Sequence, residues 1–162
     1  MIYSNLLLGK NVDIDPTASF NNVKLGDGVK IGKKVTIFGS PDKILEVGSE
    51  TEIGEFTIVN GYAAQLKIGA RCSIGIFCHF IVDTGPTASP KLLKKYPIAE
   101  ALIMIGNDCI IGHGTMVIAG SVIGDCCYVM PNSFVNCEIP PYSVYGGSPA
   151  KFIRKITPEE LS

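Results

Sequence analysis

The chain has little charge and no long apolar run. Charged residues make up 18% of its 162 residues, and the formal net charge is −1. This balance provides neither a basic surface for nucleic acid nor a disordered acidic tail. No stretch of 18 consecutive apolar residues is present, and the start of the chain lacks a charged segment followed by an apolar one. We therefore expect a single cytoplasmic domain with no membrane span and no nucleic-acid partner.

The six cysteines lack the spacings of a metal site or of a redox motif. There is no Cys-x-x-Cys pair and no cluster of cysteine with histidine at zinc spacing. Four cysteines follow a repeating aliphatic residue by four positions, where a small inward side chain is needed: Cys72, Cys78, Cys109 and Cys127. We predict that they are free, buried thiols and that the chain holds no metal.

Aliphatic residues recur every six positions along most of the chain. A period of six fits neither a helix nor a simple strand alternation, so it indicates short strands joined by tight turns. Three repeats make eighteen residues, which predicts a triangular coil of three short parallel strands, stacked over residues 12–139. The glycines that follow many of these aliphatic residues suit tight corners, through a positive φ or a close backbone approach. The repeating residues are Leu25, Ile31, Ile37, Val47, Ile53, Val59, Ile68, Ile74, Phe80, Ile105, Ile111, Val117, Ile123, Val129 and Val135.

Three segments interrupt this pattern. Two are short, at 39–45 and 60–66, whereas the third runs from 83 to 102. Long loops on rigid scaffolds often carry function, so 83–102 is the candidate functional loop. Its three lysines form either a solvated face or a contact with phosphates: Lys91, Lys94 and Lys95.

The segment 140–162 is predicted to close the open end of the coil. Pro140 and Pro141 end the strand pattern, and Ser148 followed by Pro149 is a typical helix start. We therefore predict a short basic α-helix over 149–156. Thr157 and Pro158 begin a further turn in the same way.

Residues 105–156, from IGNDCIIGHG to GGSPAKFIRKI, resemble the closing segment of hexapeptide-repeat acyltransferases. These include bacterial sugar O- and N-acetyltransferases. The resemblance implies a left-handed β-helix, a homotrimer with its active sites between neighbouring prisms, and acetyl-CoA as the acyl donor. The expected fold is therefore all-β: a left-handed parallel β-helix with a protruding loop and a short C-terminal α-helix.

The resemblance also assigns residues to the acyl donor. His113 matches a position near the thioester, and Pro131 and Asn136 match positions beside the pantetheine arm. Lys151 and Arg154 match basic residues near the nucleotide phosphates, where their charge suits the ligand. The alternative for these two residues is a solvated basic face, and the alternative for His113 is an ordinary coil corner.

Thr84 stands where related enzymes carry a catalytic histidine. A hydroxyl acceptor needs a base to remove its proton, whereas a neutral amine can attack first and lose its proton afterwards. The substitution therefore favours an amine acceptor or an inactive homologue. We predict that His79 points outward beside the loop and that Asp83 orients it or acts on the amine, which makes both candidate catalytic residues. His79 is otherwise a surface or subunit-contact histidine.

These observations predict an acetyl-CoA-dependent acetyltransferase that acts on a sugar or on a nucleotide-linked amino sugar. Two alternatives remain. The first is a non-catalytic β-helix that serves as an assembly or regulatory subunit. The second is a γ-type carbonic anhydrase, which needs three histidines on zinc, whereas this chain has only two histidines.

Overall fold

A computed structural model describes residues 3–85 and 88–162. These residues form an all-β, left-handed parallel β-helix of about six coils. The first strands are β1 (Tyr3–Leu8), β2 (Asp13–Ile14), β3 (Ser19–Leu25), β4 (Lys30–Ile31), β5 (Thr36–Phe38), β6 (Leu45–Val47), β7 (Glu52–Ile53), β8 (Ile58–Asn60), β9 (Leu66–Ile68), β10 (Ser73–Ile74) and β11 (His79–Ile81). They are followed by β12 (Ile103–Ile105), β13 (Ile110–Ile111), β14 (Met116–Ile118), β15 (Val122–Ile123), β16 (Tyr128–Val129), β17 (Phe134–Val135), β18 (Glu138–Ile139), β19 (Ser143–Gly147) and β20 (Ala150–Lys155).

The strands form the three faces of a triangular prism. Face A contains β5, β8, β11, β14 and β17, and face B contains β6, β9, β12, β15 and β18. The longer strands β1 and β3 pass around the corner from face A to face B. Face C contains β2, β4, β7, β10, β13, β16, β19 and β20. Within each face, neighbouring coils pair in parallel, and only β19 and β20 are antiparallel.

The core consists of the repeating aliphatic residues, as predicted. Each of them is buried, because the register places equivalent residues of successive coils above one another. Ile105, for example, pairs with Ile123, which pairs with Ile139. The predicted cysteines Cys72, Cys78, Cys109 and Cys127 are buried in the same interior, and all six cysteines are free thiols.

The glycines after the aliphatic residues serve close approach, not a positive φ. A methyl group at Gly112 would overlap the backbone nitrogen of Pro131 in the next coil. The left-handed conformation occurs two residues further on, for example at Asp108 (φ 57°) after Gly106 and at Cys126 (φ 54°) after Gly124. A corner of this type therefore combines a residue without a side chain with, two positions later, a residue that tolerates a positive φ.

The interruptions of the repeat leave the prism at the same corner, between faces A and B. They connect β5 to β6, β8 to β9 and β11 to β12. The longest carries a one-turn helix, α1 (Pro90–Leu93), which is capped by Ser89. The predicted loop 83–102 is closed at its base by an antiparallel bridge between Asp83 and Glu100.

The predicted C-terminal α-helix over 149–156 is wrong. The chain reverses at Gly147 (φ 98°) and the cis Ser148–Pro149 bond, and Ala150–Lys155 then returns as β20 beside β19. The open edge of β19 offers unpaired backbone groups, whereas an isolated eight-residue helix is marginal in water. The predicted turn at Thr157 is confirmed as a 3₁₀ helix, Pro158–Leu161, with Thr157 and Glu160 forming a capping box.

The helices of the described segments are short. None within 3–85 and 88–162 is both long and apolar enough to cross a membrane.

Candidate active site

His79 lies on the outer surface of face A, at the start of β11. Its neighbours in the ladder are Ile58 and Met116, and the following residue, Phe80, is buried in the core. The side chain is half-buried. Within residues 3–85 and 88–162 the imidazole makes no hydrogen bond or ion pair, so both ring nitrogens are available to a ligand.

Asp83 lies at the A/B corner, where the long loop begins. No ion pair joins it to His79 within the described segments, so the structure does not form the predicted His79–Asp83 pair. Asp83 instead faces Glu100 across the bridge at the base of the loop. Sequence reasoning missed Glu100, because only the return of the loop brings this second carboxylate opposite the first.

Thr84 closes the loop instead of supplying a base. Its backbone N–H donates to the carbonyl of Ala99 at 3.0 Å, and its Oγ1 accepts a hydrogen bond from the backbone nitrogen of Ala99 at 2.8 Å. Thr84 therefore has a structural role, because it holds the two ends of the loop together.

His113 lies at the corner between faces C and A, as predicted. Its Nδ1 accepts a hydrogen bond from the backbone nitrogen of Ile76 in the preceding coil, at 2.9 Å. Asn107 provides the same support at another corner, where its Oδ1 accepts from the backbone nitrogen of Ala70 at 2.8 Å. Because Nδ1 is an acceptor, the neutral ring carries its hydrogen on Nε2, which can serve as a donor.

A groove on face C brings together two of the residues that are predicted to contact the acyl donor, acetyl-CoA. His113 and Pro131 line it with Ser73, Ile110 and Tyr128, and its volume is about 260 Å³. A second hollow of about 350 Å³ adjoins it, shares Ile110 and Tyr128, and extends to Ile156 and Leu161. Tyr128 is a groove residue that sequence reasoning missed, although the position before a repeating aliphatic residue predicts an outward side chain.

Asn136 does not reach this groove within one chain. It is exposed and directly follows β17, at the corner between faces A and B. His113 and Pro131 lie at the opposite edge of face A. The predicted contact between Asn136 and the same ligand therefore stays a prediction that depends on a second subunit.

Lys151 and Arg154 lie on β20, the last strand of the groove's sheet. Arg154 is opposite Val144, which is opposite Tyr128, so about 10 Å separates the Arg154 backbone from that of Tyr128. Arg154 Nη1 is 2.8 Å from Glu160 Oε1, whereas Lys151 has no ion pair in the part of the chain that the structure describes. The backbone N–H of Thr157 and the Arg154 guanidinium hold the pKa of Glu160 below its usual value.

No metal centre accompanies this groove. Residues 3–85 and 88–162 contain no group of three or more histidine, cysteine, aspartate or glutamate side chains that could hold a metal ion.

Comparison with known proteins identifies the repeat. Residues 103–137 match the family of the bacterial transferase hexapeptide, with six repeats. This segment therefore carries the hexapeptide repeat of bacterial transferases. The chain is 30% identical to a probable acetyltransferase of Mycobacterium tuberculosis over 151 residues, which cover 92% of this chain and 49% of that protein. It is also 30% identical to gamma carbonic anhydrase 2, mitochondrial, of Arabidopsis thaliana over 165 residues, or 96% of this chain and 52% of that protein.

A solved structure extends this likeness to the whole fold. A variant of AntD, an N-acyltransferase from Bacillus cereus in complex with dTDP and coenzyme A, superimposes with a TM-score of 0.82 at 20% identity. The match covers 99% of this chain and 87% of AntD. This hexapeptide-repeat chain spans about half the length of the curated relatives it matches.

Proposed function

We propose that this chain is an acyltransferase that uses acetyl-CoA and transfers the acetyl group to an amine of a sugar or of a nucleotide-linked sugar. The observation that carries the proposal is the groove on face C, in which His113 and Pro131 lie on the same sheet as the basic strand β20. The match of residues 103–137 to the bacterial transferase hexapeptide supports the reaction class. The probable acetyltransferase from Mycobacterium tuberculosis and the N-acyltransferase AntD are similar proteins with acyl-transfer activity in their names.

The groove suits the shape and charge of coenzyme A. Coenzyme A has phosphates at one end and a thiol at the other, joined by a slender arm. The side chains of Ile110, Tyr128 and Pro131 offer a largely apolar floor for that arm. Lys151 and Arg154 lie beyond one end of this floor, where cationic side chains can bind phosphate directly. His113 lies at the other end, which suits a contact with the thioester.

The residues around face A suit an amine acceptor. A neutral amine attacks the thioester carbonyl carbon, the C–S bond breaks, and the coenzyme leaves as a thiolate. The Nε2–H of His113 can donate to the carbonyl oxygen as negative charge develops there. The unpartnered imidazole of His79 can accept the proton that the amine loses. Thr84 supplies no base, and no hydrogen bond in the described residues orients His79 toward a hydroxyl proton, so an amine that attacks before it loses its proton fits this site better.

We also propose that the chain assembles as a homotrimer in the cytoplasm. Phe56 and Phe77 stack with ring centroids 4.9 Å apart at the exposed C/A corner. Both have a positive φ, 59° and 54°, a conformation that bulky residues rarely adopt. Leu92 and Tyr96 expose further apolar surface on the long loop. A neighbouring prism would cover these side chains, and six free thiols fit a reducing compartment.

Release of coenzyme A thiol tests the proposed reaction. The purified chain is incubated with acetyl-CoA and with matched amino and neutral nucleotide sugars, and free thiol is followed over time. We expect release with the amino sugars only. We expect His79→Ala to lower kcat and His113→Ala to lower both kcat and stability.

His113→Asn is the matched variant for the corner. Asparagine can keep the hydrogen bond from Ile76, as Asn107 does for Ala70, so its stability should stay close to that of the wild type. Thiol release from neutral sugars alone would exclude the amine acceptor. Full activity in both His79→Ala and His113→Ala would exclude the histidine roles, and the lack of a thermal shift with acetyl-CoA would exclude the donor.

One observation favours a second function, that of a non-catalytic β-helix subunit. Thr84 has a structural role at the position where the resemblance to sugar acetyltransferases implies a catalytic histidine. In that case acetyl-CoA would neither bind nor be consumed. The similarity to gamma carbonic anhydrase 2 does not favour a zinc enzyme to the same degree, because the chain has two histidines and a zinc site of that type needs three.

A further inference from the structure

In the part of the chain that the structure describes, nothing packs over the N-terminal end of the prism. The first coil comprises residues 3–17, and its inward-facing residues lie above the core of the second coil. Leu8 pairs with Leu25, yet Leu8 is 55% exposed whereas Leu25 is 1% exposed. Leu6 and Ile14 are also only partly buried, although their partners Val23 and Ile31 are core residues. Within residues 3–85 and 88–162, no segment covers this apolar end.

The C-terminal end of the prism differs sharply. Ile139, in the last strand of face B, is 2% exposed, and Ala150 of the closing hairpin is 6% exposed. Among the described residues, the core is therefore covered at its C-terminal end and open at its N-terminal end.

The rim of the open end is a sheet edge. β1 pairs with β3 and β2 pairs with β4, and in the described residues neither strand has a partner on its other side. Parallel strands direct backbone groups alternately to both neighbours, so part of the first coil points its N–H and C=O groups outward. β1 contains no charged residue and no proline, which are the usual devices that prevent edge pairing.

The rim matches itself about a two-fold axis. Tyr3–Asn5 lies on face A, Leu6–Leu8 lies on face B, and β2 lies on face C. An axis through the A/B corner and the middle of face C exchanges the two halves of β1 and maps β2 onto itself. In this arrangement β1 and β2 each pair antiparallel with the same strand of a second copy.

The charges at the rim follow the same symmetry. Lys10 lies at the B/C corner and Asp15 at the C/A corner, and the two-fold axis exchanges these corners. The axis therefore brings the corner that carries Lys10 in one copy next to the corner that carries Asp15 in the other, at two places. The Lys10 side chain has no ion pair among the described residues. The side chain and backbone N–H of Thr17 donate to Asp15 and lower its pKa, so the carboxylate is charged at neutral pH.

We propose that two copies of this chain join end to end through the first coil, residues 3–17, about this two-fold axis. The contact buries Leu6, Leu8 and Ile14 of both copies and pairs the open edges of β1 and β2. It does not depend on acyl transfer. It also differs from the lateral contacts of the proposed trimer, which involve the sides of the prism.

The molecular mass in solution tests this contact. We expect the wild-type assembly to contain twice as many chains as the assembly of Leu8→Glu. This substitution places two negative charges, one from each copy, in the apolar contact. Leu7→Glu is the matched control, because Leu7 is 53% exposed on the same strand but pairs with Lys24 on the outer wall of face B. It should keep the wild-type mass. Light scattering gives the masses, and circular dichroism shows that each variant is folded.

A charge reversal tests the register. Lys10→Glu places a glutamate near Asp15 of the other copy, and the two negative charges repel each other. We therefore expect the assembly of this variant to dissociate at a higher protein concentration than the wild-type assembly. Lys24→Glu, on the wall of face B, should leave this concentration unchanged. If the chain also forms the proposed trimer, Leu8→Glu should reduce the assembly from six chains to three. If it does not, the substitution should reduce the assembly from two chains to one. A wild-type assembly of one or three chains, or an equal mass for wild type and Leu8→Glu, overturns the end-to-end contact.

Discussion

At the scale of single residues, several candidate site residues also hold the coil together. His113 accepts a backbone hydrogen bond at a corner, and Thr84 clasps the base of the loop. Arg154 is held by Glu160, which also accepts the backbone N–H of Thr157 at 2.7 Å. Since Arg154 is the proposed phosphate contact, Glu160 competes with the phosphates for the same guanidinium.

Glu160→Gln should lower the KM for acetyl-CoA. Glutamine can keep the capping contact with Thr157, but it removes the charge that competes for Arg154. The ion pair is exposed, so the expected decrease is only about two- to fivefold. Arg154→Ala should raise the KM about tenfold, because it removes a charged hydrogen-bond donor to phosphate. Initial rates at varied acetyl-CoA concentration give both values.

S-acetyl-pantetheine is the matched substrate for this test. It has the thioester and the arm but no nucleotide phosphate, so neither substitution should change its KM. An unchanged KM for acetyl-CoA in Arg154→Ala, or equal changes for both substrates, contradicts the phosphate contact.

At the scale of the structural elements, each corner stacks equivalent residues of successive coils. One such column contains Thr51, Cys72, Cys109, Cys127 and Ser143. Their hydroxyl and thiol groups lie inside the corner and donate to backbone carbonyls, as Cys109 does to Gly124 at 3.1 Å. The thiol of Cys109 also lies beside Cys127 and lowers the pKa of Cys127 to about 7. The side chains of this column fill the interior of the corner, and their burial makes the thiols slow to react with reagents in solution.

Thiol labelling should separate the cysteines into two groups. In the native protein we expect rapid reaction of Cys126 and Cys137, which are partly exposed, and slow reaction of the four buried thiols. In denaturant all six should react. Mass spectrometry of the labelled peptides identifies them. Rapid native labelling of Cys127 would show that its lowered pKa outweighs its burial, and fewer than six thiols in denaturant would contradict the prediction of free cysteines.

At the scale of the whole molecule, the prism has surfaces that one chain leaves exposed. Strained backbone conformations persist where a function requires them. At the C/A corner the positive-φ position is occupied by Lys34, Phe56, Phe77, Gly114 and Asn132 in successive coils. The two phenylalanines are the costly choices for this conformation, which supports a contact for their rings.

Phe77→Asn should dissociate the proposed trimer while keeping the fold. Asparagine tolerates a positive φ, as at Asn132, so the thermal stability of the isolated prism should be retained or raised. Sedimentation should show a threefold lower mass for this variant. If the loss of one ring is insufficient, the double variant with Phe56→Asn should show it. Phe38→Asn, away from this corner, is the control for loss of an aromatic ring. A trimer that survives both corner substitutions would exclude this contact.

The repeat made the fold predictable to a large extent. Burial of every repeating aliphatic residue follows from a local period, and the cysteines and corner residues follow from the same period. The C-terminal hairpin did not follow from it, because Ala150–Lys155 becomes a strand only when the edge of β19 is available. Helix start signals at Ser148 and Pro149 are local, whereas the competing edge of β19 is held in place by its pairing with β16 in the preceding coil.

The candidate site was predictable in part. The outward positions of His79 and His113 follow from their place in the repeat. The partner Glu100 did not, since only the return of the long loop brings it opposite Asp83. The ion pair of Glu160 with Arg154 did not follow either, because the repeat does not fix how the last turn lies against β20. The sequence suggested that Asp83 orients His79, but no hydrogen bond or ion pair joins these two side chains in the described residues.

The sequence by itself determined the coil, its three faces and which side chains enter its core, because a six-residue period fixes the direction of each side chain locally. The tertiary structure decided which coil end stays open, which loop bases close and which residues share the groove. These features depend on contacts between segments that are distant in the chain. The backbone pairing that creates them exists only once successive coils are stacked.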